Sequence, residues 1–138
     1  MIASKALPVT IISGYLGAGK TTLVNNALRK ANGLKLAILV NEFGNLAIDE
    51  DLIIAQDDNM ISLAGGCICC SYGNDMLLSL KELTSLDDKP DHIILEASGV
   101  AIPSAIERSI SLITQCFTES ILSIIYCEQI QDQLNDCL

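Results

Sequence analysis

Short apolar runs alternate along the chain with longer segments in which apolar residues recur every three or four positions. The runs at 9–13, 36–40, 60–64, 92–95 and 121–126 predict strands, most of them buried on both faces. The helical spacing predicts helices at 20–30, from about 74 to the break at 87–90, and from Pro103 onward. We expect Asn74 to cap the second helix with Asp75 in its first turn, and the polar tail from Glu128 to fray. Strands alternating with helices predict an α/β fold with a mostly parallel sheet between two helical layers.

Length and composition favour one domain with an aliphatic core. The chain has 138 residues, of which 50% are hydrophobic but only 4% are aromatic, and it has no Trp. This hydrophobic content fills one sizeable core, so we expect a single domain over residues 1–138.

The balance of charge argues against two classes of partner. The formal charge is −9, from 17 acidic and 8 basic residues, whereas nucleic acids and anionic membranes require a basic surface. No apolar run approaches the roughly eighteen residues of a membrane span, and residues 1–8 lack the pattern of a signal peptide. We therefore expect a cytoplasmic protein.

One glycine-rich segment follows the first predicted strand and precedes the first predicted helix. It fits the phosphate-binding pattern G-x-x-x-x-G-K-[ST] as Gly14-Tyr15-Leu16-Gly17-Ala18-Gly19-Lys20-Thr21. Its backbone N–H groups would surround phosphate oxygens, and Lys20 would reach the β- and γ-phosphates. The Thr21 hydroxyl is placed for Mg²⁺ and Thr22 for the α-phosphate. The alternative is a glycine turn that binds nothing, but the eight-residue match predicts a P-loop NTPase fold, a three-layer sandwich.

An acidic residue ends the strand predicted at 92–95. Glu96 lies where this architecture places a Mg²⁺-facing carboxylate, and Gly99 could offer its N–H to the γ-phosphate. The alternative interpretation of Glu96 is a carboxylate that only caps the next helix.

Three of the six Cys are crowded into four positions after a glycine pair. Thiolates of Cys67, Cys69 and Cys70 suit Zn²⁺ or another soft cation, and the glycines give the backbone room to direct several sulfurs at one centre. Three protein ligands would leave an open position, which suits a metal that is handed on. The alternative is a set of buried small side chains. Ordinary thiols are expected at Cys116, Cys127 and Cys137, and an ordinary strand start at His92.

Taken together, four motifs in this order resemble the CobW family of metal-handling GTPases, relatives of the nickel-insertion GTPases of hydrogenase and urease maturation. They are the phosphate loop, Asn41-Glu42-Phe43-Gly44, Gly-Gly-Cys-x-Cys-Cys, and Glu96-Ala97-Ser98-Gly99. The resemblance covers about residues 8–126. It implies that GTP with Mg²⁺ controls the acquisition and delivery of Zn²⁺ or another metal to a client protein.

The resemblance also assigns residues by position. It implies that residues 14–22 hold the triphosphate, that Glu96 and Gly99 serve Mg²⁺ and the γ-phosphate, and that Cys67, Cys69 and Cys70 bind the transferred metal. Glu42 is a further candidate ligand for that metal. Asp49 matches an acidic position in the family's first switch region and is a candidate near Mg²⁺, or else a solvated loop acid beside Glu50 and Asp51.

The chain departs from the family pattern in two places. We expect this chain to lack the family's guanine-reading loop and its C-terminal domain. The only Lys-x-Asp, Lys89-Pro90-Asp91, precedes the Glu96 strand and so lies on the wrong loop for reading guanine. A truncated sheet would expose apolar edges, so a homo-oligomer or a completing partner chain is expected.

Three hypotheses remain open at this stage. The first is a GTP-binding metallochaperone module that couples nucleotide binding and hydrolysis to metal transfer. The second is a non-catalytic metal-binding or regulatory remnant. The third is a P-loop ATPase or small-substrate kinase, which the missing guanine loop allows and the cysteine cluster disfavours.

Overall fold

A seven-stranded sheet lies between two helical layers, which confirms the three-layer α/β prediction. The structure is a computed structural model, and it describes residues 5–58, 60–73 and 75–136. The strands are β1 (Leu7–Gly14), β2 (Leu36–Val40), β3 (Ile53–Gln56), β4 (Met60–Leu63), β5 (Ile68–Ser71), β6 (His92–Glu96) and β7 (Cys116–Ile124). The helices are α1 (Lys20–Arg29), α2 (Met76–Ser85), α3 (Pro103–Ile110) and α4 (Cys127–Asp136).

The order of strands brings the chemically suggestive segments to one edge of the sheet. The order is β3-β4-β5-β2-β6-β1-β7, in which β5, β2, β6, β1 and β7 run parallel and β4 runs antiparallel to both its neighbours. The carboxyl ends of β1, β2, β5 and β6 therefore lie side by side. This is the edge at which open α/β sheets bind ligands.

Two cores form because the central strands are apolar on both faces. All five residues of β2 are buried. On one face the sheet packs against Leu80 and Leu83 of α2 and Ile110 of α3, and on the other against Val24 and Leu28 of α1. Each buried aliphatic side chain contributes about 1.5–3 kcal/mol, so these contacts hold the loops at the carboxyl edge on a rigid base.

Several predicted elements differ from the structure. Strands β3 and β5 were not predicted, because they are defined by pairing with their neighbours and not by their own sequence pattern. The last strand was predicted at 121–126, but β7 is Cys116–Ile124 and pairs with β1 along its whole length. Polar residues interrupt the apolar pattern of β7, so the first residues of this strand were not predicted. The tail predicted to fray forms α4 instead.

The start of α2 also differs from the prediction. Asn74 lies outside the described residues. Asp75 is the cap and not a first-turn residue, since its carboxylate accepts a hydrogen bond of 2.9 Å from the Leu78 N–H. None of the helices in the described part of the chain is long and apolar enough to span a membrane.

Candidate functional site

The phosphate loop connects the end of β1 to the first turn of α1. Gly14 has φ 147°, and a Cβ there would lie 2.6 Å from the Ile124 carbonyl oxygen, so a larger residue would require the backbone to shift. Gly19 caps α1 in the left-handed region at φ 109°. Between them the Ala18 N–H donates to the Tyr15 carbonyl at 3.1 Å and closes the turn. The loop thus opens onto the positive end of a helix, which attracts phosphate.

A cleft of about 400 Å³ lies over this loop. Its walls bring together most of the predicted nucleotide site: Leu16, Gly17, Gly19, Lys20, Thr21, Thr22, Gly44, Glu96, Ser98 and Gly99. Gly14 and Ala18 shape the loop but are not among these lining residues. Gly44 and Ser98 were not predicted, although each lies within a segment that the sequence singled out at a strand end.

The charged pair in the cleft is almost completely buried. The Lys20 ammonium lies 3.2 Å from Glu96 Oε1, with the two side chains 10% and 2% exposed. Lys20 also donates to the Gly14 carbonyl. Burial strengthens the attraction within the pair but makes any unpaired polar atom costly.

One oxygen of this pair has no partner among the described residues. Glu96 Oε2 is buried without a hydrogen bond among the described residues. A hard cation is one group that would satisfy it, and Mg²⁺ prefers oxygen ligands such as this carboxylate and the Thr21 hydroxyl in the same cleft. The residues present therefore fit a Mg²⁺ ion.

Gly99 lies directly against the phosphate loop. A Cβ on Gly99 would lie 3.6 Å from the Gly14 carbonyl oxygen and 3.7 Å from Tyr15 Cα. The Ala97 N–H donates to the Ile12 carbonyl at 2.8 Å and carries the chain from β6 towards that position. The structure therefore brings Gly99 beside the residues predicted to hold phosphate.

Asp49 is held along α1 by two side chains. Its carboxylate accepts a hydrogen bond of 2.8 Å from Arg29, and its N–H donates to the Asn25 side chain at 3.0 Å. Asn25 lies about one turn after Thr21 and Arg29 about two turns after it. Asp49 is not among the residues that line the cleft with Thr21. Asn25 and Arg29 were not predicted, since their roles depend on a loop at least twenty residues away.

The three clustered cysteines do not point at one centre. Cys67 and Cys69 pack in the core on the α1 side of the sheet, whereas Cys70 packs against the core on the α2 side. The cause is the strand itself, because neighbouring residues of β5 point to opposite faces. Cys67 accepts a hydrogen bond of 3.2 Å from the Leu36 N–H and donates to the Leu34 carbonyl at 3.6 Å. Among the described residues, no three Cys, His, Asp or Glu side chains are arranged to hold a metal ion.

The thiols of β5 are protonated at neutral pH. Burial raises the pKa of Cys69 to about 12. Burial, followed by the charges of Glu82 and Asp57, raises the pKa of Cys70 to about 11. Cys70 lines a cavity of about 320 Å³ beside α2, together with Ser79 and Glu82. Metal binding at these thiols would have to displace protons.

Glu42 lies at the other end of the sheet from Cys67. Cys67 contacts Leu36 at the start of β2, and Val40 ends that strand about 13 Å further along. Glu42 follows Val40 and is exposed. The structure therefore does not bring Glu42 and Cys67 together.

Among the described residues, His92, Cys116 and Cys127 do not line the cleft. His92 begins β6 as predicted, with Nε2 at 2.8 Å from Thr10 Oγ1 and Nδ1 at 3.5 Å from a Glu119 oxygen. Cys116 is buried in the core and Cys127 is exposed. Cys137 lies outside the described residues.

This chain is similar to known proteins in family pattern, sequence and structure. Residues 8–136 match the family model described as "CobW/HypB/UreG, nucleotide-binding domain". The chain is 41% identical over 103 residues to the zinc chaperone CobW of Sinorhizobium sp., an alignment that covers 70% of this chain and 29% of the relative. It is 33% identical over 142 residues to the zinc-regulated GTPase metalloprotein activator 1 of Saccharomyces cerevisiae, covering 96% of this chain and 33% of the relative.

A solved structure has the same fold. The Zn(II)-bound YjiA GTPase from E. coli superposes with a TM-score of 0.70 at 30% identity, covering 96% of this chain and 44% of that chain.

The chain spans about a third of the length of the two curated relatives. The match to the family model extends over nearly all of the chain and agrees with the resemblance based on its four motifs. This chain therefore belongs to the CobW/HypB/UreG nucleotide-binding domain family.

Proposed function

We propose that this chain binds GTP with Mg²⁺ in the cleft over the phosphate loop and binds Zn²⁺ as cargo through the cysteines of β5. The observation that carries the proposal is the buried Lys20–Glu96 pair beneath the cleft, in which one carboxylate oxygen has no partner within the described part of the chain. A glycine turn that binds nothing has no need for such a costly arrangement. Relatives that are zinc chaperones and a Zn(II)-bound GTPase of the same fold support the nature of the two ligands.

In this proposal, different residues of the cleft bind different parts of the triphosphate and its Mg²⁺. The N–H groups of the phosphate loop and the start of α1 bind its oxygens, and Lys20 turns from Gly14 and Glu96 towards the β- and γ-phosphates. Thr21 and Glu96 supply oxygen ligands for Mg²⁺, which when bound neutralises charge on the phosphates. Gly99 offers its N–H near the γ-phosphate. Hydrolysis would then change the contacts of Gly99 and Glu96 and release the cargo.

The metal proposal requires β5 to rearrange. Cys69 and Cys70 lie on opposite faces of β5, so joint coordination needs a local change in strand geometry. Glu42 lies in the segment between β2 and Asp49, three residues beyond Leu39, which pairs with Cys70. Ordering of this segment by nucleotide is the proposed means by which one ligand affects the other.

Calorimetric titration tests the proposal directly. GTP and ATP, each with Mg²⁺, are titrated into Zn²⁺-loaded and metal-free protein. GTP-selective binding that changes with Zn²⁺ supports the coupled metallochaperone. Selectivity for ATP would favour the ATPase or kinase hypothesis, and Zn²⁺ binding without nucleotide binding would favour the non-catalytic module.

Replacement of the phosphate-loop lysine is a sharper test. We expect Lys20→Ala to weaken triphosphate binding at least about tenfold, because a charge-assisted contact is lost. The matched control is Lys30→Ala, which removes an exposed amine at the other end of α1. Since Lys20→Ala leaves the buried Glu96 charge without its cation, the Lys20→Ala/Glu96→Gln variant and a thermal melt separate unfolding from loss of binding. Binding by a folded Lys20→Ala protein as tight as that of the parent would refute the nucleotide assignment.

A further inference from the structure

The segment that follows the cysteine strand is tied to the segment that follows β2. The N–H groups of Tyr72 and Gly73 donate to the carbonyls of Val40 and Asn41 at 2.8 and 3.1 Å. The Ser71 hydroxyl donates to the same Asn41 carbonyl at 2.9 Å. A displacement of β5 is therefore transmitted to residue 41, at the start of the segment that leads from β2 to Asp49.

The side chain of Tyr72 makes a second connection, to the nucleotide site. Ile68 and Cys70 of β5 and Tyr72, the first residue after the strand, pack against one core on the α2 side of the sheet. The Tyr72 hydroxyl donates to the Glu96 carbonyl at 3.3 Å. Since β2 lies between β5 and β6, the ring crosses the carboxyl end of β2 to reach that carbonyl.

We infer that Tyr72 is a positioning residue that couples metal capture at Cys70 to the carboxylate of Glu96 in the nucleotide cleft. The inference rests on the proposed function. Cys70 lies in β5 and Tyr72 is the first residue after that strand, two residues further along and packed against the same core, so a shift that lets Cys70 bind metal also moves the phenol. The carbonyl that accepts from Tyr72 belongs to the residue whose carboxylate pairs with Lys20.

The hydrogen bonds of Ser71 and Gly73 are made to the Asn41 carbonyl, whereas the hydroxyl of Tyr72 donates to the Glu96 carbonyl. The two connections can therefore be tested separately.

The test is Tyr72→Phe, which removes the hydroxyl and keeps the ring in its core contacts. Dissociation constants for the triphosphate with Mg²⁺ are measured by calorimetry in Zn²⁺-loaded and metal-free protein, and the ratio of the two gives the coupling. We expect a ratio of about fivefold or more in the parent, falling to within about twofold of unity in Tyr72→Phe. The affinity for each ligand alone should stay within about twofold of the parent value. A purely structural role for Tyr72 would instead change the affinity for each ligand alone.

A reciprocal measurement and a control complete the design. Zn²⁺ affinity with and without nucleotide must give the same ratio, because coupling between two ligands is mutual. Tyr126→Phe removes a phenol hydroxyl beyond the end of β7 and should leave the ratio unchanged. If the parent shows coupling and Tyr72→Phe shows the same coupling, the role of Tyr72 is overturned but the proposed function is not. A parent without coupling would overturn the proposed function and this inference with it.

Discussion

At the scale of single residues, Asn25 illustrates how one buried polar side chain determines the path of a distant loop. Its amide donates to the Ala47 carbonyl at 2.9 Å and accepts from the Asp49 N–H at 3.0 Å. Arg29, one turn further along α1, binds the carboxylates of Asp49 and Asp51. The loop from Ala47 to Asp51 is therefore fastened to the surface of α1.

Replacement of this amide should destabilise the protein. We expect Asn25→Ala to lower the free energy of unfolding by about 1–3 kcal/mol, because two backbone groups of the loop lose their partner in a buried place. Urea denaturation measures the change. The control is Asn26→Ala, at the exposed neighbouring position of the same helix, which should cost much less. Equal losses in the two variants would contradict the role assigned to Asn25.

At the scale of elements, the strand β5 decides what the cysteines can do. Its alternation separates Cys69 from Cys70 across the sheet, and burial keeps both thiols protonated. Metal binding must therefore change the strand and also release protons. The four residues of β5 position the two thiols. They also position the next residue, Tyr72, whose hydroxyl donates to the Glu96 carbonyl.

The raised pKa values predict a steep pH dependence of Zn²⁺ binding. Both pKa values, about 12 for Cys69 and about 11 for Cys70, lie above the range from about pH 6.5 to 8.5. Each coordinated thiol then loses one proton on binding, so affinity falls about tenfold per thiol for each unit by which pH is lowered. We expect roughly a hundredfold change per pH unit if both thiols coordinate.

Competition with a chromophoric chelator at several pH values measures this dependence, with the chelator's own protonation taken into account. Cys70→Ser should reduce the slope by about one proton. Cys127→Ser, which removes an exposed thiol outside β5, should leave it unchanged. An unchanged slope in Cys70→Ser would show that this thiol is not a ligand.

At the scale of the whole molecule, the sheet ends in an exposed strand. Within the described residues β7 pairs with β1 on one side, and the apolar side chains of Phe117, Ile121 and Leu122 remain 39–44% exposed. The strand contains one charged residue, Glu119, and no Pro. Natural edge strands usually carry charges or Pro that block pairing with other chains.

We expect this edge to cause self-association at high concentration. A lysine at the edge should oppose pairing, so Leu122→Lys should reduce the mass-average molecular weight measured by sedimentation equilibrium. Leu78→Lys, which replaces an exposed leucine of α2, is the control for added charge alone. If both variants associate as the parent does, the edge of β7 is not the contact.

The sequence predicted the fold class and the long buried elements because those depend on local periodicity. The uniform burial of β2 corresponds to an unbroken apolar run, and α1 follows directly from the glycine loop. The same reasoning missed β5, where a four-residue strand is defined by its neighbours β2 and β4 and not by its own pattern. The length of β7 was underestimated for a similar reason, since pairing with β1 determines it.

By itself, the sequence determined the phosphate loop, the acid at the end of β6 and the family, because each depends on residue types at short spacing. Only the tertiary structure decided which side chains meet across long separations: Lys20 with Glu96, Asn25 with Asp49, and Tyr72 with the Glu96 carbonyl. It also decided that Cys69 and Cys70 face apart. The physical reason is that strand pairing and core packing assign each residue its face and its neighbours, and neither is encoded in a local window of sequence.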